Sequence, residues 1–476
     1  MIPGSPIGGS MDCGRDSAVH RPPKSKRAVS ERGQIPDLGE FGGTDPRSAS
    51  LGHGSTARRP LFSPPMPTST DADLLVIGAG PAGCAAAITA ARAGRTVVLI
   101  DKATFPRDKT CGDGLTAGAL RWLEHLDILL SALQPSAAVT DVVVVSPSGR
   151  PVQIPLPANG QHARVMRRVD LDAALVTATR AAGVTILEGN GLTELKSLDA
   201  HVEATLDDGT TITAPFAVAA DGNYSTARRL LTPAAPPVLG EWSAFRQYFA
   251  HVDDPRLWVL FERDVLPGYA WIFPLPNGRA NVGLAVLRGP DVTGKMLAEK
   301  WRDVLERPSL RAVLGPDAEP EAAHRAWPIP SHLDASRLAH GRVLFVGDAA
   351  GVVDPMTGEG IAQALETGIL AAQAITHVPH PPIGHRSLFD PASIATRYRT
   401  DVQRTLGKDL RFAGMLQRVL AQPLGVRAVL RVVDTNDWTR RNFARWMFED
   451  YPRALVLTPS RWRRDMFSPP GAYCPT

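Results

Sequence analysis

The chain has 476 residues, 44% of them hydrophobic, and a formal net charge of +4 at pH 7. This length allows about two or three domains, and so small a net charge gives no indication of nucleic-acid binding. The four cysteines lack the paired spacing of a zinc site, so we expect neither a metal site nor disulfides, and therefore a cytoplasmic protein. No run of about 18 apolar residues is present to span a membrane.

Residues 1–70 are rich in glycine, proline, serine and arginine and poor in large apolar side chains. A segment of this composition cannot bury enough surface to offset the entropy lost on ordering, so we predict that it is disordered. It also lacks the apolar run of a secretory signal. Met66 precedes the first apolar run by only a few polar residues, and we hypothesise that translation starts there.

The first regular pattern after this extension predicts a βαβ unit. Leu74–Ile77 and Thr96–Ile100 are short apolar runs, as expected of parallel strands that are buried on both faces. Between them, the alanine-rich segment Ala82–Ala93 predicts a helix that ends at Gly94, a residue type suited to the position after a helix. The unit has about 30 residues, the usual length of this motif.

The turn between the first strand and the helix reads GAGPAG and contains Gly78, Gly80 and Gly83. Such a turn lets the backbone approach a diphosphate at the positive end of the helix. Asp101 ends the next strand, where an acidic side chain can bind a ribose. The motif fits NAD and FAD equally, and a glycine-rich turn without a ligand is the plain alternative.

A second motif, late in the chain, favours FAD. Asp348 lies in GDAAG directly after the apolar strand Val343–Val346, where a carboxylate can accept a hydrogen bond from a polyol. The sequence GEGI, from Gly358 to Ile361, then begins a helix predicted for Gly360–Thr376, and its free N–H groups can face an electron-rich ring edge. NAD has neither a polyol chain nor such a ring.

The order of three motifs resembles a known family. GAGPAG, the mid-chain sequence Ala220-Asp-Gly222, and GDAAG with GEGI are similar to the FAD-dependent oxidoreductases of the p-hydroxybenzoate hydroxylase superfamily. Within it, FPRDKTCGDGL at 105–115 and GYAWIFP at 268–274 resemble most closely the geranylgeranyl reductase family, which includes menaquinone reductases. The resemblance extends from about Ala72 to Ala371.

This resemblance implies an α/β fold, with a Rossmann-type FAD-binding domain, an antiparallel-sheet substrate domain and a helical C-terminal region. On this basis residues 71–235 and 335–395 form the FAD-binding domain, 236–334 the substrate domain and 396–476 the C-terminal helices. A hairpin near 141–156 is expected to join the substrate sheet. The other expected elements are a helix at Leu171–Ala182, strands at Val184–Leu187 and Phe216–Ala220, and a hairpin at His201–Ala214.

The resemblance also implies which residues bind the cofactor. The glycine-rich turn would hold the diphosphate, with Asp101 at the ribose and Asp348 at the ribitol. The loop at 105–115 and Arg168 would lie along FAD, and the GEGI turn would meet the pyrimidine edge of the flavin. The residues carried over are Gly78, Gly80, Ala82, Gly83, Asp101, Arg107, Gly112, Gly114, Arg168, Asp221, Asp348, Gly358, Gly360 and Ile361.

The loop FPRDKTCGDGL combines a thiol with nearly bare backbone. Gly112 and Gly114 allow the loop to pass close over a flat flavin ring, and Cys111 would place a titratable sulfur beside that ring. Reduction of an alkene requires a proton donor, so Cys111 is the candidate catalytic residue. The alternative is a small residue buried within the turn, and we favour that role for Cys84 on the alanine-rich helix.

The alternation in YAWIFP places Tyr269, Trp271 and Phe273 on one face of a strand. In the family that it resembles, this strand belongs to the substrate domain. An aromatic wall suits an isoprenoid chain, which has few hydrogen-bonding atoms. We therefore take Tyr269 and Trp271 as substrate-binding residues. Ordinary core packing is the alternative, and we favour it for Phe273.

The segment from Asp401 onward has 13 Lys and Arg residues against 7 Asp and Glu residues. Aromatic and basic side chains interleave within 438–448, a combination typical of helices at a membrane surface. We expect peripheral membrane contact through these helices, and the alternative is a solvated face or packing on the protein's own domain. The residues concerned are Trp438, Phe443, Trp446 and Phe448, with Arg440, Arg441 and Arg445 between them.

We expect a flavoenzyme that saturates C=C bonds of a polyprenyl group, in a geranylgeranyl lipid or pigment or in the side chain of a prenylquinone such as menaquinone. Its reductant would be NAD(P)H, docking transiently, or a ferredoxin-like donor, because the chain has a single dinucleotide turn. The alternatives are an FAD-dependent aromatic monooxygenase, a flavin-dependent halogenase, and a flavoprotein that binds a lipid or protein partner without turnover.

Overall fold

The computed structural model describes residues 69–156, 163–233, 240–289, 292–377 and 390–448, together with Ala454, Thr458, Pro459 and Trp462. The first part of the chain contains β1 (Ser69–Asp71), β2 (Leu74–Ile77), α1 (Pro81–Arg92), β3 (Val97–Asp101), β4 (Gly114–Thr116), α2 (Ala117–His125), β5 (Ala137–Ala138), β6 (Asp141–Val145), β7 (Pro151–Pro155), β8 (Ala163–Val165), α3 (Arg168–Ala181), β9 (Thr185–Glu188), β10 (Leu192–Ser197), β11 (Val202–Leu206), β12 (Thr211–Ala214), β13 (Phe216–Ala219) and α4 (Thr226–Leu231).

The middle part contains β14 (Trp242–Ala250), β15 (Leu257–Leu260), β16 (Tyr269–Leu275), β17 (Arg279–Leu287), α5 (Gly294–Leu305), α6 (Pro308–Leu314), β18 (Glu319–Pro320) and β19 (Arg325–Ile329). The last part contains β20 (Ala339–His340), β21 (Val343–Phe345), α7 (Ile361–Thr376), α8 (Pro391–Thr405), α9 (Gly407–Leu420), α10 (Pro423–Val433) and α11 (Asp437–Met447). Short 3₁₀ turns lie at Leu130–Ala132, Ala335–Leu338 and Gly347–Ala350.

A six-stranded sheet in the order β20-β21-β13-β2-β3-β9 carries the glycine-rich turn. All its neighbouring strands are parallel except β20 and β21. Every residue of β2 and β13 is buried, which explains why both strands are continuous apolar runs. Because the strands are parallel, the turns that follow β2, β3 and β21 lie at one edge of the sheet.

Helices α1 and α7 pack against each other on this sheet. The contact is close because the residues at the crossing are small: Ala82 and Ala85 of α1 lie next to Gly368 of α7. A Cβ added to Gly368 of α7 would lie 2.2 Å from the carbonyl oxygen of Ala82, so this position has no room for a side chain. The alanine-rich composition of α1 therefore reflects helix packing as well as helix propensity.

The three glycines of the turn have different surroundings. A Cβ added to Gly83 would lie 1.8 Å from the carbonyl oxygen of Gly78, so α1 can begin here only without a side chain. Gly78 itself has φ +101°, in the region that favours glycine. Gly80 differs, because the nearest atom to an added Cβ is a guanidinium nitrogen of Arg107, 3.9 Å away. The space above Gly80 is open.

A larger, mostly antiparallel sheet in the order β18-β14-β17-β16-β15-β6-β7 forms the second layer, and β19 pairs with β14 as well. The hairpin β6–β7 joins it through a parallel pairing of β6 with β15. Helices α5 and α6 cover one face, where Trp301 is fully buried. Helices α9, α10 and α11 pack against the hairpin end through a separate cluster that includes Ile154, Leu257 and Leu430.

Two smaller sheets, β1-β12-β11-β10 and β4-β8-β5, complete the part of the structure that is described. The observed architecture confirms the predicted fold class, an FAD-binding-type α/β fold with further sheets and C-terminal helices. Among the described helices, none combines the length and apolar character that a membrane crossing requires.

The predicted boundary of the disordered extension is wrong by two residues. Ser69 and Thr70 belong to β1, which pairs in parallel with β12. Main-chain hydrogen bonds hold this strand, and they do not depend on the apolar side chains that the composition argument considers. Residues 1–68, including Met66 and Cys13, and Cys474 lie outside the described residues.

We predict opposite outcomes for two alanine substitutions in the glycine-rich turn. Gly83→Ala should lower the free energy of unfolding by about 1–3 kcal/mol, because the new methyl group collides with the main chain at Gly78. Gly80→Ala is the control, since φ −80° at this position is available to alanine and the space is open. Urea denaturation of the FAD-free proteins measures both; equal stabilities would contradict the packing argument.

Candidate active site

A single cavity of about 590 Å³ brings the expected site residues together. It begins at the glycine-rich turn, passes between the loop at 105–115 and strand β16, and continues to helices α9–α11. Of the residues carried over from the family resemblance, all line this cavity except Gly83, whose place is inside the turn. Cys111, Tyr269 and Trp271 line it as well. The two ends of the cavity differ in chemistry.

The end at the glycine-rich turn is polar. Asp101 accepts hydrogen bonds from the N–H groups of Ala79 (2.8 Å) and Ala103 (2.8 Å), so its carboxylate ties the turn to the end of β3. The bare backbone of Gly80 forms a cradle that a Cβ would partly fill, with the Arg107 guanidinium on its far side. Open backbone beside an arginine at a helix N-terminus suits a diphosphate.

Two arginines share one buried carboxylate beside this cradle. Asp172 of α3 is fully buried; it accepts hydrogen bonds from Arg168 at 2.9 and 2.8 Å and from Arg107 at 2.8 Å. Burial acts to lower the pKa of Arg168, but the ion pair and hydrogen bonds with Asp172, together with the contact to Cys111, outweigh burial and raise the pKa. Two cations therefore face the cavity with one anion between them, which leaves a positive charge for an anionic ligand.

The end of β21 supplies Asp348, as the sequence predicted. Its carboxylate lies 3.7 Å from the ammonium group of Lys109, which also sits 4.6 Å above the ring of Trp327. Burial lowers the pKa of Lys109. The mid-chain Asp221 accepts a hydrogen bond from the N–H of Ala227 (2.9 Å) and also lines the cavity. Lys109 was missed by the sequence analysis, although it lies within the loop that the family resemblance singled out.

The turn before α7 differs from expectation in one respect. Gly358 has φ +69°, and Gly360 precedes the first turn of the helix. We expected the N–H groups at this end to be free, but Oε1 of Glu359 accepts the N–H of Ile361 at 2.9 Å and that of Ala362 at 3.4 Å. A local carboxylate caps the helix, because acidic side chains favour the positive helix end.

The thiol of Cys111 lies half-buried in the cavity beside the guanidinium of Arg168. Burial raises the pKa of the thiol above its ordinary value, and the charge of Arg168 opposes this. Cys111 is therefore a protonated thiol at neutral pH. Cys84, in contrast, is fully buried within α1, where burial raises its pKa to about 12. This placement agrees with the packing role predicted for Cys84.

Asp113, two residues after Cys111, is a site residue that the sequence analysis missed. It is fully buried at φ +64°, and its carboxylate accepts hydrogen bonds from the Tyr248 hydroxyl (2.7 Å), the Asn281 side-chain amide (2.8 Å) and the Arg168 N–H (3.2 Å). Burial raises the pKa of Asp113 to about 6 against the effect of these donors. Only its unusual position between two glycines could have drawn attention to it.

The aromatic strand β16 forms one wall of the cavity. Tyr269, Trp271 and Phe273 all line it, and the Trp271 indole packs over Gly283 of β17, where an added Cβ would lie 2.0 Å from the ring. Phe273, for which we favoured core packing, packs against two core clusters and also lines the cavity: its half-buried ring lies 3.5 Å from the position of a Cβ at Gly112. The alternation in the sequence predicted which side chains share this face of β16, but it did not show what that face contacts.

The far end of the cavity is apolar and lined by the C-terminal helices. Of the four aromatic residues expected at a membrane surface, three line the cavity instead, because α11 packs on α10 and the hairpin; these are Phe443, Trp446 and Phe448. Trp438 alone of the four is exposed, at 51%. The other lining side chains from these helices are Leu416, Leu420, Val426, Val429, Leu430 and Met447.

Residues 71–380 match the family described as FAD binding domain. The chain is 36% identical over 325 residues to the menaquinone reductase of Mycolicibacterium smegmatis, covering 65% of this chain and 77% of that one. It is 27% identical over 389 residues to digeranylgeranylglycerophospholipid reductase 2 of Methanopyrus kandleri, covering 77% of this chain and 92% of that protein.

The fold is similar to the crystal structure of a geranylgeranyl bacteriochlorophyll reductase-like protein from Thermoplasma acidophilum, with a TM-score of 0.67 and 22% identity. That match covers 82% of this chain and 98% of the other. The cavity, its glycine-rich cradle and these relatives agree with one another: the chain belongs to the geranylgeranyl reductase family of FAD-dependent oxidoreductases.

Proposed function

We propose that this protein uses FAD to saturate C=C bonds in the polyprenyl group of a lipid or quinone. The observation that carries the proposal is the continuity of the cavity, whose polar end has the cradle for a dinucleotide and whose other end is apolar. A long hydrocarbon chain needs such a surface, because it offers nothing but CH groups for contact. The names of the relatives, which include menaquinone and digeranylgeranylglycerophospholipid reductases, support the same substrate class.

The residues of the site divide the work between binding and proton supply. Gly80, Arg107 and Asp348 would hold the diphosphate and ribitol of FAD, and Gly358–Ile361 its pyrimidine edge. Bound FAD, once reduced, supplies hydride. Trp271 and Tyr269 would hold the alkene against the loop at 105–115. Unactivated alkenes react only when they are well placed, so this wall contributes to rate as well as to affinity.

The thiol of Cys111 would donate a proton to one carbon of the double bond, while the other carbon receives the hydride. Burial keeps the thiol protonated at neutral pH, which suits an acid rather than a nucleophile. The guanidinium of Arg168 beside the sulfur would stabilise the thiolate that remains after the proton leaves. The reductant is NAD(P)H or a ferredoxin-like donor, as inferred from the single dinucleotide turn.

The first prediction concerns the reaction itself. Protein loaded with FAD and kept reduced with dithionite under argon should convert geranylgeranyl lipids or menaquinone to products that gain one pair of hydrogens per double bond, as measured by mass spectrometry. The second candidate function, an aromatic monooxygenase or halogenase, requires oxygen. Oxygen uptake with NADPH and a phenol or halide, without any gain of hydrogen by prenyl lipids, would decide for that alternative.

The second prediction concerns the proton donor. Cys111→Ser should retain FAD but lower kcat by about 10²-fold or more, because a hydroxyl group is a far weaker acid than a thiol. Cys84→Ala is the matched control, since Cys84 is buried in α1 and does not line the cavity, and its kcat should stay unchanged. In the wild-type protein, kcat should remain constant through neutral pH and fall only in the alkaline range, where the raised thiol pKa is passed and the proton donor is lost. A fully active serine variant would exclude this role.

We also propose that helices α9 and α10 contact a membrane surface. Between Leu410 and Val433 the chain has four arginines and no acidic residue: Arg411, Arg418, Arg427 and Arg431. Met415, Val419, Leu424 and Val432 are large apolar side chains exposed on the same two helices. Helix α10 is thus apolar on both sides, since Val426 and Leu430 line the cavity. Exposed apolar side chains between arginines suit an anionic bilayer.

Vesicle flotation tests this contact. The wild-type protein should float with vesicles of phosphatidylglycerol and phosphatidylcholine, and less with phosphatidylcholine alone, because anionic lipids attract the arginines. Leu424→Glu combined with Val432→Glu should reduce flotation about tenfold. Leu198→Glu is the control, because Leu198 is 43% exposed at the turn between β10 and β11, far from these helices in sequence. Equal flotation of both variants would contradict the proposed surface.

A further inference from the structure

One side-chain amide connects three parts of the site. Asn281 of β17 is fully buried; its Nδ2 donates to the carbonyl oxygen of Cys111 (2.9 Å) and to Oδ2 of Asp113 (2.8 Å). Its Oδ1 accepts a hydrogen bond from Nε1 of Trp271 (3.0 Å). Both amide hydrogens and the amide oxygen therefore have partners. No other residue type of this size offers two donors and an acceptor in this arrangement.

The partners of Asn281 belong to opposite walls of the cavity. Cys111 and Asp113 lie on the loop that carries the proposed proton donor, and Trp271 lies on the aromatic wall. The two walls face each other closely, because a Cβ added at Gly112 would lie 3.8 Å from the indole of Trp271. The amide thus fixes the loop backbone and the rotation of the indole ring from one point. A buried indole N–H without such a partner would be costly.

The loop cannot hold this conformation by itself. Asp113 has φ +64°, which is unfavourable for a residue other than glycine, and its buried carboxylate needs donors. Two of these donors, Tyr248 and Asn281, come from the large sheet, and the third is the main-chain N–H of Arg168. The conformation between Cys111 and Gly114 is therefore imposed by the surroundings.

We propose that Asn281 is a positioning residue that sets the distance between the Cys111 thiol and the wall that holds the alkene. The expected effect on kcat rests on the proposed function, whereas the effect of Asn281 on the loop conformation does not. Because hydride and proton must reach adjacent carbons of one double bond, a shift of about 1 Å between loop and wall would cost about 10²-fold in rate.

Two variants that lose a hydrogen bond to the same oxygen separate positioning from stability. Asn281→Leu keeps the number and branching of the side-chain heavy atoms but removes the hydrogen bonds to Cys111, Asp113 and Trp271. Tyr248→Phe removes one donor to Oδ2 of Asp113, but Asn281 still donates to that oxygen and still binds Cys111 and Trp271, so the loop stays in place. With FAD content equal to wild type, Asn281→Leu should lower kcat about 10- to 100-fold. The kcat of Tyr248→Phe should stay within about threefold of the wild-type value. Equal losses in both variants, or no loss in Asn281→Leu, would overturn the proposal.

A second readout does not depend on the substrate. In the FAD-loaded protein, alkylation of Cys111 by iodoacetamide, mapped by peptide mass spectrometry, should be at least about tenfold faster in Asn281→Leu than in wild type or Tyr248→Phe, because the released loop opens. Cys84, fully buried in α1, is the internal reference. Equal rates at Cys111 in all three proteins would refute the positioning role, whereas a wild type that reduces no prenyl lipid would refute only the proposed function.

If Asn281→Leu does not fold, Asn281→Asp tests the positioning role instead. It keeps the volume and the acceptor for Trp271, but it loses both donors and sets a second carboxylate against Asp113. Its Cys111 should also be alkylated at least about tenfold faster than in wild type, since the loop contact is lost. An unchanged alkylation rate in this variant would overturn the proposal.

Discussion

The buried carboxylate of Asp113 is the interaction on which the geometry of the site depends. A carboxylate removed from water costs several kcal/mol unless donors replace the lost hydration. Here the donors are Tyr248 of β14, Asn281 of β17 and the first residue of α3, Arg168. They belong to the large sheet and to a helix beside the dinucleotide cradle. The loop that bears Cys111 is consequently held between the two layers, and neither layer can shift without leaving a buried charge unpaired.

The same arrangement explains how two unlike ligands can meet in one cavity. The polar end concentrates cationic side chains around Asp172 and bare backbone at Gly80, whereas the far end consists of apolar side chains of α9–α11. A dinucleotide and a hydrocarbon chain would each occupy the end that matches its chemistry. They can approach each other only where the loop faces β16, which is the place of Cys111 and Trp271.

Sequence patterns identified the features that depend on a few neighbouring residues, namely the glycine-rich turn, the turn before α7 and the alternating aromatic strand. The contacts of Asp113 were not predictable, because Tyr248 and Asn281 lie 135 and 168 residues away within strands of ordinary alternation. For a similar reason, the apolar face of α11 was assigned to a membrane. Amphipathicity indicates that one face of a helix is covered, but it does not show whether a membrane or the rest of the protein covers it. The GEGI motif predicted free N–H groups at the start of α7, but the carboxylate of Glu359 within that motif accepts hydrogen bonds from two of them.

The absence of a side chain at Gly283 makes room for the Trp271 indole in the cavity wall. Trp271 and Gly283 are opposite one another on β16 and β17, and the indole occupies the volume that a methyl group at 283 would take. Position 283 must itself stay bare, because an added Cβ would also lie 2.5 Å from the carbonyl oxygen of Phe245. The width beside the loop is therefore set by the ring at 271, and a smaller aromatic ring there would admit a bulkier or branched alkene without any change to the residues that hold the dinucleotide.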